Sequence, residues 1–148
     1  MKILFIMLIT ISACFSLTKE QTRILKLCYN YGKIYNLGNT LMGICYVESA
    51  LGIYKVGNND YGIAQVNIKS HLARIGVKDT YMNRSKYATK LVIDDHYNLY
   101  GAIQELLYWK SKKKNWIHYV SAYNRGHKGP INYALKISKS IKLLKGKL

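Results

Sequence analysis

The chain is poor in acidic residues. Its 148 residues contain only seven Asp and Glu against 23 Lys and Arg, which gives a formal net charge of +16. A protein this basic is expected to meet an anionic partner, whether nucleic acid, membrane lipid or an anionic polymer. The charge would raise the on-rate for such a partner in a salt-dependent way, but it carries no information about the fold.

Proline and cysteine are also scarce. Pro130 is the only proline, so Gly and Asn are expected to mark the breaks between elements. The three cysteines form no Cys-x-x-Cys pair and the four histidines are scattered, so no metal site and no cofactor are predicted. The histidines are interpreted as structural or surface residues. No repeat or linker is visible, and the length and 49% hydrophobic content predict one domain with one core.

The N-terminal segment predicts export. Met1-Lys2 precedes an apolar stretch, Ile3 to Ile9, and then small residues, which is the pattern of a secretory signal. The stretch is shorter than the ~20 residues that a membrane-spanning helix needs. Residues 1–16 are therefore predicted to be a signal peptide or lipoprotein signal and residues 17–148 the mature domain, with an N-terminal core helix as the alternative. Export argues against nucleic acid as a partner.

The fate of this leader and of the cysteines stays open. Ile11-Ser12-Ala13-Cys14 resembles a lipobox, in which Cys14 would be lipidated. Simple cleavage near Ser16 and an uncleaved anchor are the alternatives. In an oxidising compartment Cys28 and Cys45 can pair, and closing that loop would contribute roughly 3 kcal/mol on the chain-entropy model. The alternative is that Cys28 and Cys45 are two buried free thiols.

Hydrophobic periodicity predicts a mainly α-helical domain with a small irregular β-hairpin. Helices are expected over residues 18–34, 41–51, 68–75, 94–112, 116–123 and 131–144. Asn39-Thr40 is the expected N-cap of the second helix. The turn signal Gly57-Asn58-Asn59-Asp60 would join strands at 54–56 and 63–66.

The last predicted helix is basic and amphipathic. Its expected inward residues are Ala134, Leu135, Ile141 and Leu144. Lysines recur at three-residue steps on the other side: Lys136, Lys139, Lys142 and Lys145. Such a helix can lie on an anionic surface, and an ordinary solvated face explains the pattern equally well.

One acidic residue lies in an apolar segment. Glu48-Ser49 ends the run Leu41–Val47, so Glu48 is expected beside the core face near the C-terminal end of a helix. Burial without a full partner and the negative end of the helix dipole both favour the protonated form. A raised pKa of this kind is what a general acid needs. A helix-end carboxylate paired with a Lys is the alternative.

Three further segments follow Glu48-Ser49 in order: Asp60-Tyr61-Gly62-Ile63-Ala64-Gln65-Val66-Asn67, Asn98-Leu99-Tyr100-Gly101-Ala102-Ile103 and Ala122-Tyr123-Asn124-Arg125-Gly126. The four motifs resemble those of the soluble lytic transglycosylases, which share the goose-type lysozyme fold. They are most similar to the small exported members that accompany secretion and conjugation machines. The resemblance covers about residues 24–135. It departs at Ala64, where the family usually has Met, and at Arg125, where it usually has Ala.

The resemblance implies a lysozyme-like α+β fold and cleavage of the MurNAc–GlcNAc β-1,4 bond of peptidoglycan, with formation of 1,6-anhydro-muropeptides. Glu48 would act first as the acid and then as the base. Tyr123 would hydrogen-bond and orient Glu48.

The resemblance also implies a set of substrate-binding residues. Gln65 and Asn124 would hold acetamido and peptide groups, Ser49 would contact the carboxylate or the substrate, and Gly62 would let the backbone approach a sugar. Ordinary structural roles are the alternatives: a helix-terminal Ser bonded to the backbone, a polar strand residue at Gln65, and a helix stop with a capping Asn at Asn124.

Glycoside hydrolysis usually takes two carboxylates, and only Glu48 is strongly placed. For Asp60, a structural role in the turn is preferred to a catalytic role. A single well-placed carboxylate favours the transglycosylase route, which needs no activated water. The alternatives are a muramidase of phage-endolysin type, a non-catalytic cationic wall-binding protein and, least supported, a DNA-binding protein.

The partners and location follow from this interpretation. The expected partner is the peptidoglycan glycan strand, with an anionic membrane surface or a secretion or conjugation apparatus as further candidates. A monomer in the periplasm or cell envelope is expected, with lipid anchoring through Cys14 left open.

Overall fold

The computed structural model describes residues 16–148. Cys14 and the predicted leader up to residue 15 lie outside the described residues, so the export prediction stays a prediction. The elements of the described part, in chain order, are α1 Lys19–Lys33, α2 Gly38–Ser49, β1 Asp60–Tyr61, β2 Val66–Asn67, α3 Ile68–Arg74, α4 Tyr81–Ile93, α5 Asp95–Lys112, α6 Trp116–Arg125 and α7 Ile131–Leu144. A mainly helical fold with one small antiparallel sheet is confirmed. Membership of the lysozyme-like class stays a prediction.

Side-chain caps fix several helix ends where the sequence placed them. Thr18 closes a capping box with Gln21 at the start of α1, and Asp94 accepts a hydrogen bond from the Tyr97 N–H at the start of α5. The predicted cap of α2 is wrong, because the helix begins at Gly38, ahead of Asn39-Thr40. The Thr40 hydroxyl instead accepts a hydrogen bond from the Trp116 indole at 3.0 Å, a tertiary contact with α6.

Helix α2 is the central element of the fold. It packs against α1 on one side and α7 on the other, and eight of its twelve residues are buried. Gly43 permits the close approach of α7, since a Cβ there would lie 2.9 Å from the Ile141 side chain and 3.0 Å from that of Ile137. This packing places the last turn of α2, with Glu48, beside the core.

The hairpin lies later in the chain than predicted. Its strands are Asp60–Tyr61 and Val66–Asn67, while the segment expected as the first strand contributes only an isolated bridge between Val56 and Tyr61. Ile63 and Ala64, predicted as strand, form the buried turn between the two strands.

A buried amide on α5 explains the position of this turn. The Asn98 side chain accepts a hydrogen bond from the Ala64 N–H at 2.8 Å and donates one to the Tyr61 carbonyl at 2.7 Å. Gly62 lies between these contacts with φ of +80°, and a Cβ there would lie 2.0 Å from Asn98 Nδ2 and 2.2 Å from the Leu91 carbonyl oxygen. Close packing against α4 and α5 therefore requires glycine at this position.

Helix α4 was not predicted from the sequence. Leu91 is its only buried residue, and Tyr87 and Ala88 are partly buried against the core. Thr80 caps its start, and Tyr81 and Met82 in the first turn are largely exposed.

The predicted inward face of helix α7 is confirmed in part, because Ala134 and Leu144 are buried and Ile141 is partly buried against the core. Leu135 is 45% exposed, so its predicted inward position is wrong. The buried residues are Tyr133, Ala134, Ile137, Ser140 and Leu144.

Cys28 and Cys45 are free thiols, buried between α1 and α2. Burial, assisted by the neighbouring Cys28, raises the pKa of the Cys45 thiol well above its ordinary value, so this thiol is protonated at neutral pH. Within residues 16–148, no helix combines the length and apolarity that crossing a bilayer requires.

We expect Asn98→Ala to destabilise the fold by about 2–4 kcal/mol, because the change leaves two buried backbone groups without their partner. Urea denaturation measures the loss. Asn58→Ala is the matched control, because Asn58 is exposed in the loop that precedes β1. This change should alter the stability by less than about 0.5 kcal/mol. Equal stability of the two variants would contradict the anchoring role of Asn98.

Candidate functional site

A polar cleft lies where the end of α2 meets the hairpin, α3, α5 and α6. It encloses about 440 Å³, part of it open to solvent, and continues into an outer groove of about 610 Å³. The cleft is lined by Glu48, Asp60, Gln65, Val66, Asn67, Ser70, His71, Gly101, Glu105, Tyr123 and Asn124. The fold thus brings together residues from all four sequence motifs, with Gly101 as the contribution of the third.

Glu48 is half-buried in the last turn of α2, where the helix dipole disfavours an anion. Among the described residues no Lys or Arg forms an ion pair with it, so the alternative of a Lys-paired carboxylate is wrong. Burial raises the pKa of Glu48; a hydrogen bond from Tyr133 opposes the rise, and the nearby charge of Asp60 adds to it. The net direction is upward, toward the protonated acid.

The tyrosine that holds Glu48 is not the predicted one. The Tyr133 hydroxyl, on the buried face of α7, donates to Glu48 Oε1 at 2.5 Å. Tyr123 lines the same cleft, but its hydroxyl donates to the Ala64 carbonyl at 2.8 Å and so supports the turn of the hairpin. No local pattern distinguishes Tyr133, since it is one of 14 tyrosines and lies outside the four motifs.

Two predicted substrate-binding residues have structural roles instead. Ser49 is fully buried, and its hydroxyl donates to the Ile63 carbonyl at 2.6 Å and accepts from the Gly52 N–H at 2.8 Å. The space beside Gly62 is filled by Asn98 and Leu91, so no sugar can approach there. Ser49 and Gly62 therefore shape the cleft without lining it.

Gln65 and Asn124 do line the cleft. Gln65 lies in the turn before β2 with φ of +48°, and its side-chain amide donates to the Gly62 carbonyl at 2.9 Å. This contact fixes the direction of the side chain. Asn124 is exposed near the end of α6 and borders both the cleft and the outer groove, and Arg125 beside it borders the outer groove.

Asp60 also lines the cleft. It belongs to strand β1, where it accepts a hydrogen bond from the Asn67 side chain at 2.9 Å, so its interpretation as turn structure is corrected. Burial raises the pKa of Asp60, and the Asn67 contact partly opposes this.

Sequence analysis missed Glu105, a further buried acid of the cleft. Its carboxylate accepts a hydrogen bond from the Trp109 indole at 2.6 Å and pairs with Arg74 at 2.9 Å. The i,i+4 spacing to Trp109 on one helix was a visible signal, but the Arg74 contact depends on the packing of α3 against α5.

His71 is buried at the floor of the cleft, and its interpretation as structural agrees with its contacts. Its Nε2 shares a hydrogen bond with the Tyr97 hydroxyl at 2.9 Å, and burial, with a smaller effect of Lys90, lowers its pKa to about 4. The ring is therefore neutral at neutral pH. No group of three His, Cys, Asp or Glu side chains within the described residues could hold a metal ion.

No protein-family model matches the chain, and no curated protein or solved structure is significantly similar to it. The resemblance to the lytic transglycosylases therefore depends on the short sequence motifs alone.

Tyr133→Phe should raise the pKa of Glu48, because the hydroxyl that stabilises the ionised carboxylate is lost. A carbon-13 NMR titration of the Glu48 carboxyl measures this directly. Tyr123→Phe is the matched control, since it deletes the same group from a residue of the same cleft but leaves the contact with Glu48 intact. A larger shift in the Tyr123→Phe variant would contradict the assignment of Tyr133.

The raised pKa of Glu48 also predicts a pH-dependent stability. The folded protein binds this proton more tightly than the unfolded chain, so the stability contribution is present below the ordinary value of 4.5 and is lost as the pH rises through the folded-state pKa. The free energy of unfolding of Glu48→Gln, relative to wild type, should therefore increase with pH and then level off.

Urea denaturation at a series of pH values measures this difference, and Glu20→Gln provides a control of opposite sign. The hydrogen bond from Arg23 lowers the pKa of Glu20, so its stabilising effect is lost as the pH falls. A Glu48→Gln difference that stays flat with pH would be evidence against a proton held by burial.

Proposed function

We propose that this protein is a peptidoglycan lytic transglycosylase that uses Glu48 as its single proton-transfer group. The observation that carries the proposal is the environment of this carboxyl group. It lies in a polar cleft, it has no basic partner among the described residues, and its pKa is raised by burial. The order of the four sequence motifs supports a wall glycan as the substrate.

In the proposed first step, protonated Glu48 donates its proton to the bridging oxygen of the MurNAc–GlcNAc bond. The glycosidic bond breaks, and the N-acetyl oxygen of the substrate stabilises the cationic sugar carbon. In the second step, ionised Glu48 takes the proton of the C6 hydroxyl, and O6 bonds to that carbon to close the 1,6-anhydro ring. Glu48 regains its proton, and no water is consumed.

One group can perform both steps only if its pKa lies near the working pH. Two opposing effects on Glu48 favour this. Burial favours the acid that gives the first proton, while the Tyr133 hydrogen bond stabilises the carboxylate that takes the second. Tyr133 holds Oε1 and so acts as a positioning residue. No hydrogen bond from the described residues reaches Oε2, which is the oxygen we assign to the substrate.

Asp60 supports a second candidate function, a muramidase that hydrolyses the same bond. It lies in the same cleft as Glu48, and hydrolysis by a pair of carboxylates needs such a second acid. Asp60 would then stabilise the cationic sugar or activate a water molecule.

Digestion of purified sacculi tests the proposal, with products identified by mass spectrometry. Wild type should release anhydro-muropeptides, and Glu48→Gln should reduce the rate by about 10²–10⁴-fold, as loss of a general acid does. Glu20→Gln, which changes an exposed acid on α1 in the same way, should leave the rate unchanged. Circular dichroism confirms that each variant is folded.

The outcomes separate the candidates. Reducing-end products that disappear in Asp60→Asn would favour the muramidase. Lysis that persists in Glu48→Gln but vanishes at high salt would favour a non-catalytic cationic protein and would overturn the assignment of Glu48.

A further inference from the structure

The positive charge of the chain is concentrated in its C-terminal third. All seven acidic residues lie at or before Glu105, whereas 11 of the 23 Lys and Arg lie after it. These eleven are Lys110, Lys112, Lys113, Lys114, Arg125, Lys128, Lys136, Lys139, Lys142, Lys145 and Lys147. Because no Asp or Glu follows Glu105 in the sequence, the segment that carries α6, α7 and the end of α5 has a strongly positive net charge.

The outward face of α7 combines this charge with apolar side chains. Ile131, Leu135 and Leu143 are 52%, 45% and 46% exposed. Lys136, Lys139 and Lys142 are exposed beside them. At 3.6 residues per turn, these six residues occupy less than half of the helix circumference, opposite the buried face. We call them the α7 outer face.

We propose that the α7 outer face docks on the surface of an anionic lipid bilayer. Lysines alone would suit any polyanion, but a soluble polyanion gives no reason to expose three large apolar residues among them. A bilayer interface accepts both, because lysines attract anionic headgroups while apolar side chains enter the boundary below them. The partner is therefore a membrane surface rather than a nucleic acid or a soluble polymer.

The docking is compatible with an open cleft. No residue of the α7 outer face lines the cleft, and α7 reaches Glu48 only through its buried residue Tyr133. Docking does not depend on the proposed reaction, so the binding test below can fail or succeed whatever the outcome of the digestion experiment.

Co-sedimentation of the full chain with vesicles tests the proposal. Wild type should bind vesicles of mixed phosphatidylcholine and phosphatidylglycerol and should bind phosphatidylcholine alone far more weakly. Replacing Lys136, Lys139 and Lys142 together by Gln should weaken binding roughly a hundred-fold. The control replaces Lys19, Lys26 and Lys33 on the exposed side of α1 by Gln and removes the same charge. It should weaken binding by less than about ten-fold.

A second pair of variants tests the apolar part. Ile131→Ser with Leu135→Ser should weaken vesicle binding by about ten-fold. Tyr81→Ser with Met82→Ser, at exposed apolar residues of α4, should leave it unchanged. Brominated lipid should also quench the tryptophan fluorescence added by Leu135→Trp, whereas it should not quench the fluorescence added by Tyr81→Trp.

Three results would overturn the proposal. Equal vesicle binding by all variants would assign the binding to another segment. Equal losses of binding in the lysine variants of α1 and α7 would assign it to net charge alone. Loss with the lysine variant but not with the apolar variant, together with equally tight binding to DNA, would make α7 a general polyanion site.

Discussion

The hydrogen bond between Tyr133 and Glu48 is the contact on which the site depends. Glu48 lies near the negative end of the α2 dipole, half-buried, with no cation paired to it among the described residues. Each of these conditions disfavours an ionised carboxylate. The Tyr133 hydroxyl, a neutral donor from α7, stabilises the ionised carboxylate. It is also compatible with the protonated acid, because a hydroxyl can accept a hydrogen bond as well as donate one. The group is thereby left able to change its protonation state.

That contact requires α7 to lie close against α2. Gly43 removes the side chain that would keep the helices apart, and Ile137 and Ile141 fill the space. The same α2 ends at Ser49, whose buried hydroxyl ties the helix end to the hairpin turn through Ile63. Glu48, the tyrosine that contacts it and the opposite wall of the cleft are thus parts of one packed unit around the end of α2.

Local patterns were enough to predict most of the helices and the environment of Glu48. Apolar periodicity and an acid in an apolar run are properties of residues that lie near one another in the sequence, and they predicted α1, α5 and the position of Glu48. The one cap predicted in this way, Asn39-Thr40, was wrong. The sequence could not predict what depends on distant packing: Tyr133 reaching across from α7, Arg74 pairing with Glu105, and Asn98 fixing the hairpin turn. Helix α4 was missed, and Leu91 is its only buried residue.

The error at Leu135 has a geometric cause that links the two faces of α7. Successive residues are about 100° apart on a helix, so Leu135 lies about 200° from Tyr133, and the two cannot both face the core. The contact with Glu48 requires Tyr133 inside, and Leu135 is therefore forced outward with Ile131 close to it. A rotation that buried Leu135 would withdraw the hydroxyl from the carboxyl group. The outward placement of Ile131 and Leu135 thus follows from the register that the Tyr133 contact requires, and the proposed lipid surface would cover both residues without disturbing that register.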